Sequence, residues 1–288
     1  MPRRLRPAVA SLNRDWRVFR SRGQHRSPMS RWSAFATALA AALALFTLQP
    51  ASAQLVNTPV TVVELFTSQG CNNCPPADAY ILELIKRQDR ENFIVLGYHV
   101  DYWDYLGWAD TFATKQTTAR QRGYMRPMRM QSVYTPQIVV QGRYEAVGAD
   151  RMAVEDAIVQ ARTPTANGTA NVWFDYAENG DPVLRVEQMR AGAPAADFRG
   201  EADVFLVLFA DTKTVPIARG ENAGKTIAYG NVVQTMVHLT KWDGKPATFK
   251  LPTGQLSPGA SFCAAIVQMA NQGPILGAVR ARITDGTW

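Results

Sequence analysis

Two cysteines three positions apart, Cys71 and Cys74, are the residues of this 288-residue chain best placed to do chemistry. A thiolate is both a nucleophile and a metal ligand, so a CxxC pair can exchange disulfides, hold a soft metal ion, or close into a bridge. The bridge alone would be a poor staple, because its loop is tiny and removes little entropy from the unfolded chain. Dithiol–disulfide chemistry is therefore the leading reading. A permanent, turn-shaping disulfide and metal binding are its rivals. Cys263 is the third cysteine. It lies in the alternating stretch 261–266 and reads as a buried apolar filler.

The elements around the pair can be read from hydrophobic pattern. Residues 60–67 (VTVVELFT) form a β-branched run typical of a buried parallel strand. The run breaks at Ser68-Gln69-Gly70 and delivers Cys71-Asn72-Asn73-Cys74-Pro75-Pro76. An amphipathic helix follows over 77–87, with Tyr80, Ile81, Leu84 and Ile85 on one face. The prolines fall in its first turn, where an N–H is dispensable. Cys71 would precede the helix N-terminus, whose unpaired N–H groups and dipole favour an anion; it is the expected nucleophile. Cys74, one turn further in, is the expected resolving thiol. Residues 92–99 (NFIVLGYH) give a second strand and so a right-handed crossover with a parallel pair. A polar and aromatic insertion fills 100–129, helical around 111–123. Tyr134-Thr135-Pro136-Gln137 then leads into a hairpin of 138–140 and 144–147, and a helix over 149–161 closes the unit.

A strand, a CxxC, a helix and a strand, then Thr-Pro before a hairpin and a helix, resemble the thioredoxin fold. Four motifs, ELFTSQGCNNCPPAD (64–78), HVDYWDYLGW (99–108), YTPQIVVQG (134–142) and RGENAGKT (219–226), resemble the domain-of-unknown-function 1223 family. Those are exported, thioredoxin-like proteins without an established activity. The resemblance implies a fold and a site but no substrate.

It also implies roles for three neighbours of the pair. Thr135-Pro136 matches the place where the thioredoxin fold carries a cis-proline, so Pro136 would shape a peptide groove facing the disulfide. Glu64, seven residues before Cys71, stands near where related folds keep a buried acid that serves as proton acceptor for the resolving cysteine; the alternative is a glutamate at a polar edge. His99 ends the second strand, and parallel neighbours put their C-terminal ends on the same side. It could stabilise a thiolate, join Cys71 and Cys74 in a copper or zinc site, or be plain hydrogen-bonded structure. The aromatic run 102–108 either walls a groove above the disulfide or plugs a gap between domains. Residues 220–226 (GENAGKT) fall short of a phosphate-binding loop, with three residues between the glycines instead of four and strand-like sequence after them.

Charge and composition set the compartment and exclude some partners. Residues 1–53 hold nine arginines and one acid, net +8, while the remainder has 22 basic and 23 acidic residues, net −1. The formal +7 therefore belongs to the leader and does not mark a nucleic-acid-binding surface. That leader has the parts of a secretory signal: Arg-rich residues to Arg31, an apolar run over 34–48, and Ala51-Ser52-Ala53 before Gln54. Met29 is an alternative start. The expected product is periplasmic or secreted, with no membrane span in the mature chain. Texture changes near 163–168 to short strands and turns. The expected organisation is a leader (1–53), an α/β thioredoxin-like domain (54–165) and an all-β, sandwich-like domain (166–288) of roughly seven strands. The expected activity is thiol–disulfide oxidoreduction, without a cofactor, on a protein or small-molecule thiol or disulfide. Its alternatives are metal binding or delivery, and a redox-inactive binding module.

Overall fold

The structure is a computed structural model that describes residues 60–163, 169–189, 200–252 and 257–283. The expected leader, with its cleavage site and alternative start, lies outside the described residues, as do residues 164–168 of the expected boundary.

β1 (Thr61–Thr67) and β2 (Phe93–His99) run parallel, in register from Thr61↔Phe93 to Thr67↔His99, and every residue of both is buried. Such strands must be apolar on both faces, which is why their sequences are nearly continuous hydrophobic runs. Between them α1 (Pro75–Glu91) starts with its two prolines and ends at Asn92, whose left-handed backbone lets its N–H bond the Gln88 carbonyl. Its buried residues Ala77, Tyr80, Ile81 and Leu84 lie on Val63, Leu65 and Val95. A 3₁₀ turn (Asp104–Leu106) and α2 (Lys115–Tyr124) occupy the insertion. The Thr114 side chain accepts from Thr117 N–H while the Thr117 hydroxyl accepts from Thr114 N–H, a reciprocal cap that fixes where α2 begins. β3 (Gln137–Val140) pairs antiparallel with β1, β4 (Tyr144–Val147) forms the edge beside it, and α3 (Arg151–Ala161) covers that end.

The second half contributes β5 (Thr169–Tyr176), β6 (Pro182–Met189), β7 (Ala202–Ala210), β8 (Lys213–Pro216), β9 (Thr226–Tyr229), β10 (Val232–Trp242), β11 (Ala247–Lys250), β12 (Phe262–Met269) and β13 (Ile275–Arg282). They do not form a separate sandwich. Four of them continue the first sheet, giving eight strands in the order β13-β12-β7-β10-β2-β1-β3-β4. β5, β6 and β11 make a three-stranded sheet stacked over the β7–β12–β13 end, so one of the two layers there belongs to the sheet that both halves share. β8 and β9 form a two-stranded hairpin.

The expected boundary fails as a structural division because β2 has a second edge that needs a partner. Its free backbone groups take up β10 in parallel at Val232↔Gly97, Gly97 N–H bonds the Asn231 carbonyl, and the Asn231 carboxamide reaches Val95 O at 2.8 Å. The junction depends on Gly97, where a Cβ would stand 2.7 Å from the Gly230 carbonyl oxygen. One face of the sheet carries a continuous core, from Val62, Phe66 and Tyr98 through Val207 and Phe209 to Ala264 and Ile266. The other face is covered by α1 and α3 at one end and by the small sheet at the other. Among the described residues no helix is long and apolar enough to cross a membrane.

Candidate functional site

β1 ends at Thr67, and the tight bend Ser68-Gln69-Gly70 turns the chain toward α1. The Ser68 hydroxyl accepts from Gly70 N–H, and Cys71 N–H bonds the Ser68 carbonyl. Cys71 and Cys74 are joined as a disulfide, with Cα atoms 5.4 Å apart. Cys74 is the helix N-cap, but its side chain caps nothing; its carbonyl accepts from Ala77 and Asp78 N–H. Pro75 and Pro76 have no N–H. All four donors of the first helical turn are thus missing or engaged, and none is left for a thiolate at Cys71. The sequence expectation of a strongly stabilised Cys71 anion loses that support. Both sulfurs are also more enclosed than expected: Cys71 is 3 % exposed and Cys74 0 %, while Asn72 and Asn73 between them face solvent.

Four residues after Cys74, and so on the same helix face, stands Asp78. It is buried, with Oδ1 accepting from the Thr67 hydroxyl at 2.7 Å and Oδ2 without a partner. Burial raises its carboxyl to about 7, against the opposing effects of the Thr67 bond and of His99. His99, opposite Thr67 on β2, is buried; its Nδ1 lies 2.7 Å from Asp110 Oδ2. Burial works against an ionised Asp110, but His99 and the N–H groups of Gln69 and Phe112 hold its carboxyl below the usual range. Nδ1 therefore donates to Asp110. Tyr229, on β9, packs its ring edge-on against His99 with centroids 4.7 Å apart, and its buried hydroxyl has no partner. Desolvation pushes that phenol up, with Asp78 and Asp110 adding to it. A buried cluster of two carboxyl groups, an imidazole and a phenol therefore sits behind the disulfide. Two of its oxygens, Asp78 Oδ2 and the Tyr229 hydroxyl, have no partner among the described residues.

Three segments gather around the loop that carries the pair. Thr135–Pro136 is a cis peptide bond, and Pro136 is buried beside Gly148, whose absent Cβ would touch Pro136 Cβ, Ala77 Cβ and Leu65 Cδ1 at 3.1–3.3 Å. Trp103 links this loop to the cysteines. Its indole N–H bonds Thr135 Oγ1 at 2.7 Å, and its own backbone oxygen and Cβ press on Gly70. Tyr105 stacks beside it and is 77 % exposed. Trp108 donates to Gln69 Oε1 at 2.8 Å while its other side meets Gly220 and the Ile217–Tyr229 cluster of the second half. The aromatic run thus packs between the cysteine loop and residues of the second half. The third segment is the tip of the β8–β9 hairpin. The buried Asn222 carboxamide donates to Gln69 O at 2.9 Å and to Cys71 O at 2.8 Å, and its Oδ1 accepts from Lys225 Nζ. The phosphate-loop-like residues therefore form a strand-to-strand turn against the disulfide.

Glu64 is not brought to the cysteines. It points to the face of β1 opposite Asp78 and accepts from Arg120 Nε at 2.6 Å and from the Tyr124 hydroxyl, all buried, with Gln268 bonded to Arg120 and Tyr124. The guanidinium lies over the rings of Tyr98, Tyr124 and Phe205. Asp101 and Asp104, which follow His99 closely in sequence, accept from the Thr118 hydroxyl and from Asp110 N–H. Among the described residues no three or more His, Cys, Asp or Glu side chains are grouped to hold a metal ion. Cys263 is free and buried, and burial pushes its thiol up to about 12.

Residues 62–268 match the family model described as "Protein of unknown function (DUF1223)". The chain belongs to this family. A crystal structure of a protein from Agrobacterium tumefaciens, solved by a structural genomics consortium, is similar to it at 32 % identity and a TM-score of 0.62, over 80 % of this chain and 97 % of that one. Comparison with curated proteins gives no match. In this DUF1223 protein, then, the site has to be read from its own geometry. Of the residues nominated from sequence, Cys71, Cys74, Pro136 and His99 converge and Glu64 does not. Asp78, Asp110, Asn222 and Tyr229 were missed. Asp78 had a signal, the i, i+4 spacing from Cys74. Asn222 had one too, its place in the RGENAGKT motif, though not its contact with the cysteine loop; Asp110 and Tyr229 reach the site only through tertiary structure.

Proposed function

We propose that this DUF1223 protein is an extracytoplasmic thiol–disulfide oxidoreductase built on a thioredoxin-like unit of β1, α1, β2, β3, β4 and α3. The observation that carries the reading is the Cys71–Cys74 disulfide at the start of α1 with Asp78 one turn behind it, buried, half-ionised near neutral pH and with one oxygen free. A substrate thiolate attacks Cys71 Sγ, a mixed disulfide forms, and the bond to Cys74 breaks. Cys74 leaves as a thiolate and takes up a proton, for which Asp78 is the positioned donor. A second substrate thiol, deprotonated, then attacks the mixed disulfide and releases Cys71. The substrate loses two electrons and two protons and becomes a disulfide; the protein disulfide gains both. The reverse sequence reduces a substrate. In this reading Pro136 and Trp103, tied together by the indole bond to Thr135, line the approach to the sulfurs, and His99, held by Asp110, backs the cluster. The secretory pattern of residues 1–53 supports an oxidising compartment for this chemistry.

Equilibration of the protein against graded glutathione redox buffers, with free thiols counted by mass after alkylation, tests the reading. A two-thiol transition confined to Cys71 and Cys74, at a potential above about −300 mV, is the expected result. A pair that stays closed in strongly reducing buffer would sink it. That outcome would favour a second reading, a binding module with a structural disulfide, for which the burial of Cys71 beneath Asn222 is the specific support.

A further inference from the structure

The turn joining β8 to β9 approaches the disulfide from the half of the chain that carries no cysteine chemistry of its own. Most of its residues face solvent, Arg219, Glu221, Ala223, Gly224 and Lys225 among them; Asn222, in their midst, is buried. Both carboxamide hydrogens of Asn222 are used on carbonyls of the cysteine loop, Gln69 O and Cys71 O. Two residues earlier Gly220, at φ 75°, fits against Trp108 Cβ and Leu106 O, where a Cβ would stand 3.1 and 3.2 Å away. The base of the turn is held by the buried Ile217, packed with Ile227, Tyr229 and Trp108, while its largely solvent-facing tip is fastened by the Asn222 side chain on the cysteine loop and by the close fit of Gly220 against residues 106 and 108. Two hydrogen bonds to backbone carbonyls are a modest and reversible fastening, since water replaces them when the turn lifts.

We propose that the β8–β9 turn is a latched cover over Cys71, with Asn222 as the latch, and that it must lift before a thiol reaches the sulfur. The inference rests on the oxidoreductase reading above and adds a step that precedes it. Asn222 is a positioning residue; it does not take part in bond exchange. The cover also sets selectivity by size. A small dithiol needs a brief, partial opening, whereas a cysteine on a folded protein needs the whole turn displaced.

The test measures second-order rates of reduction of the Cys71–Cys74 disulfide in the full-length protein, by dithiothreitol and by a reduced dithiol protein, with quench alkylation and mass detection. Asn222→Ala removes both latch bonds. Gly220→Ala adds a methyl where the turn touches Trp108 and puts a side chain at a positive φ. Each is expected to accelerate reduction on the order of tenfold, and more for the protein reductant than for dithiothreitol. Cys263, buried in a different core cluster, is the control: its alkylation rate should stay unchanged. Folded variants with wild-type reduction rates would overturn the cover. So would a parallel rise in Cys263 labelling, which would assign the effect to global opening. Should one variant fail to fold, the rates of the other decide. If no reductant opens the pair in the wild type or in either variant, the oxidoreductase reading itself falls. If the pair opens readily and at equal rates in all three, only the latch does.

Discussion

The carboxyl of Asp78 is where single-residue physics has the clearest consequence. Its folded value of about 7 lies above the ordinary 3.8 because burial favours the neutral form. The folded protein therefore binds this proton more tightly than the unfolded chain does. The resulting stability is full below about pH 4, declines as pH rises toward 7, and levels off above that. Urea melts of the disulfide-intact protein should show this decline, and Asp78→Asn should flatten it between pH 4 and 7 while slowing thiol exchange. A variant with an unchanged pH profile would remove Asp78 from the site. The cysteines give a second expectation. With Pro75 and Pro76 lacking N–H and the next two donors held by Cys74 O, α1 offers Cys71 only its dipole. A weakly stabilised thiolate makes for a reducing pair, so the redox midpoint should lie on the reductant side of the range for such proteins. The CxxC was plain in the sequence, and the prolines that blunt it were equally visible; what they remove became clear only when the partners of Ala77 and Asp78 N–H were known.

At the scale of elements, hydrophobic pattern located β1, α1, β2, β3, β4 and α3 to within a few residues, because each is long, strongly periodic or framed by turn residues. It was silent on β8 and β11, four-residue strands with mixed burial whose identity comes from their neighbours. Glu64 shows a different limit. An acid within an apolar strand announces that it has a partner but not which, and the partner, Arg120, sits 56 residues on in a helix with little apolar face. That pair ties β1 to α2 and, through Gln268, to β12. Arg120→Met would leave a carboxylate buried and unpaired and should destabilise the fold by about 3–5 kcal/mol in denaturant titrations. The thiol reactivity of the surviving folded fraction should be unaltered. A loss of exchange without loss of stability would instead return Glu64 to the reaction.

For the whole molecule, two halves that differ in texture share one sheet through the narrow joint at Gly97, Asn231 and Val232. A glycine inside a strand was the one trace of this in the sequence, and glycines in strands have several explanations. The change from α/β to all-β texture was real, but it marks a change of layer and not a separate body. Thermal unfolding should therefore be a single transition, with tryptophan fluorescence, whose reporters lie in both halves, and the release of Cys263 to alkylation coinciding. Gly97→Ala brings a methyl to 2.7 Å from Gly230 O and should lower stability by about 1–3 kcal/mol, still in one step. Two separated transitions would mean that the halves are independent after all.

Asn222 and the carbonyl that it holds at Cys71 are 151 residues apart in the chain. A ribosome adding about 5–20 residues per second needs roughly 8–30 s to cross that interval. Throughout that time the nascent protein carries both thiols without the complete β8–β9 turn that later lies against the cysteine loop. The order of manufacture thus opens an early window on the cysteines. An oxidant or metal that meets the growing chain can act on sulfurs that the finished protein keeps under Asn222, and the history of the pair need not match its mature reactivity.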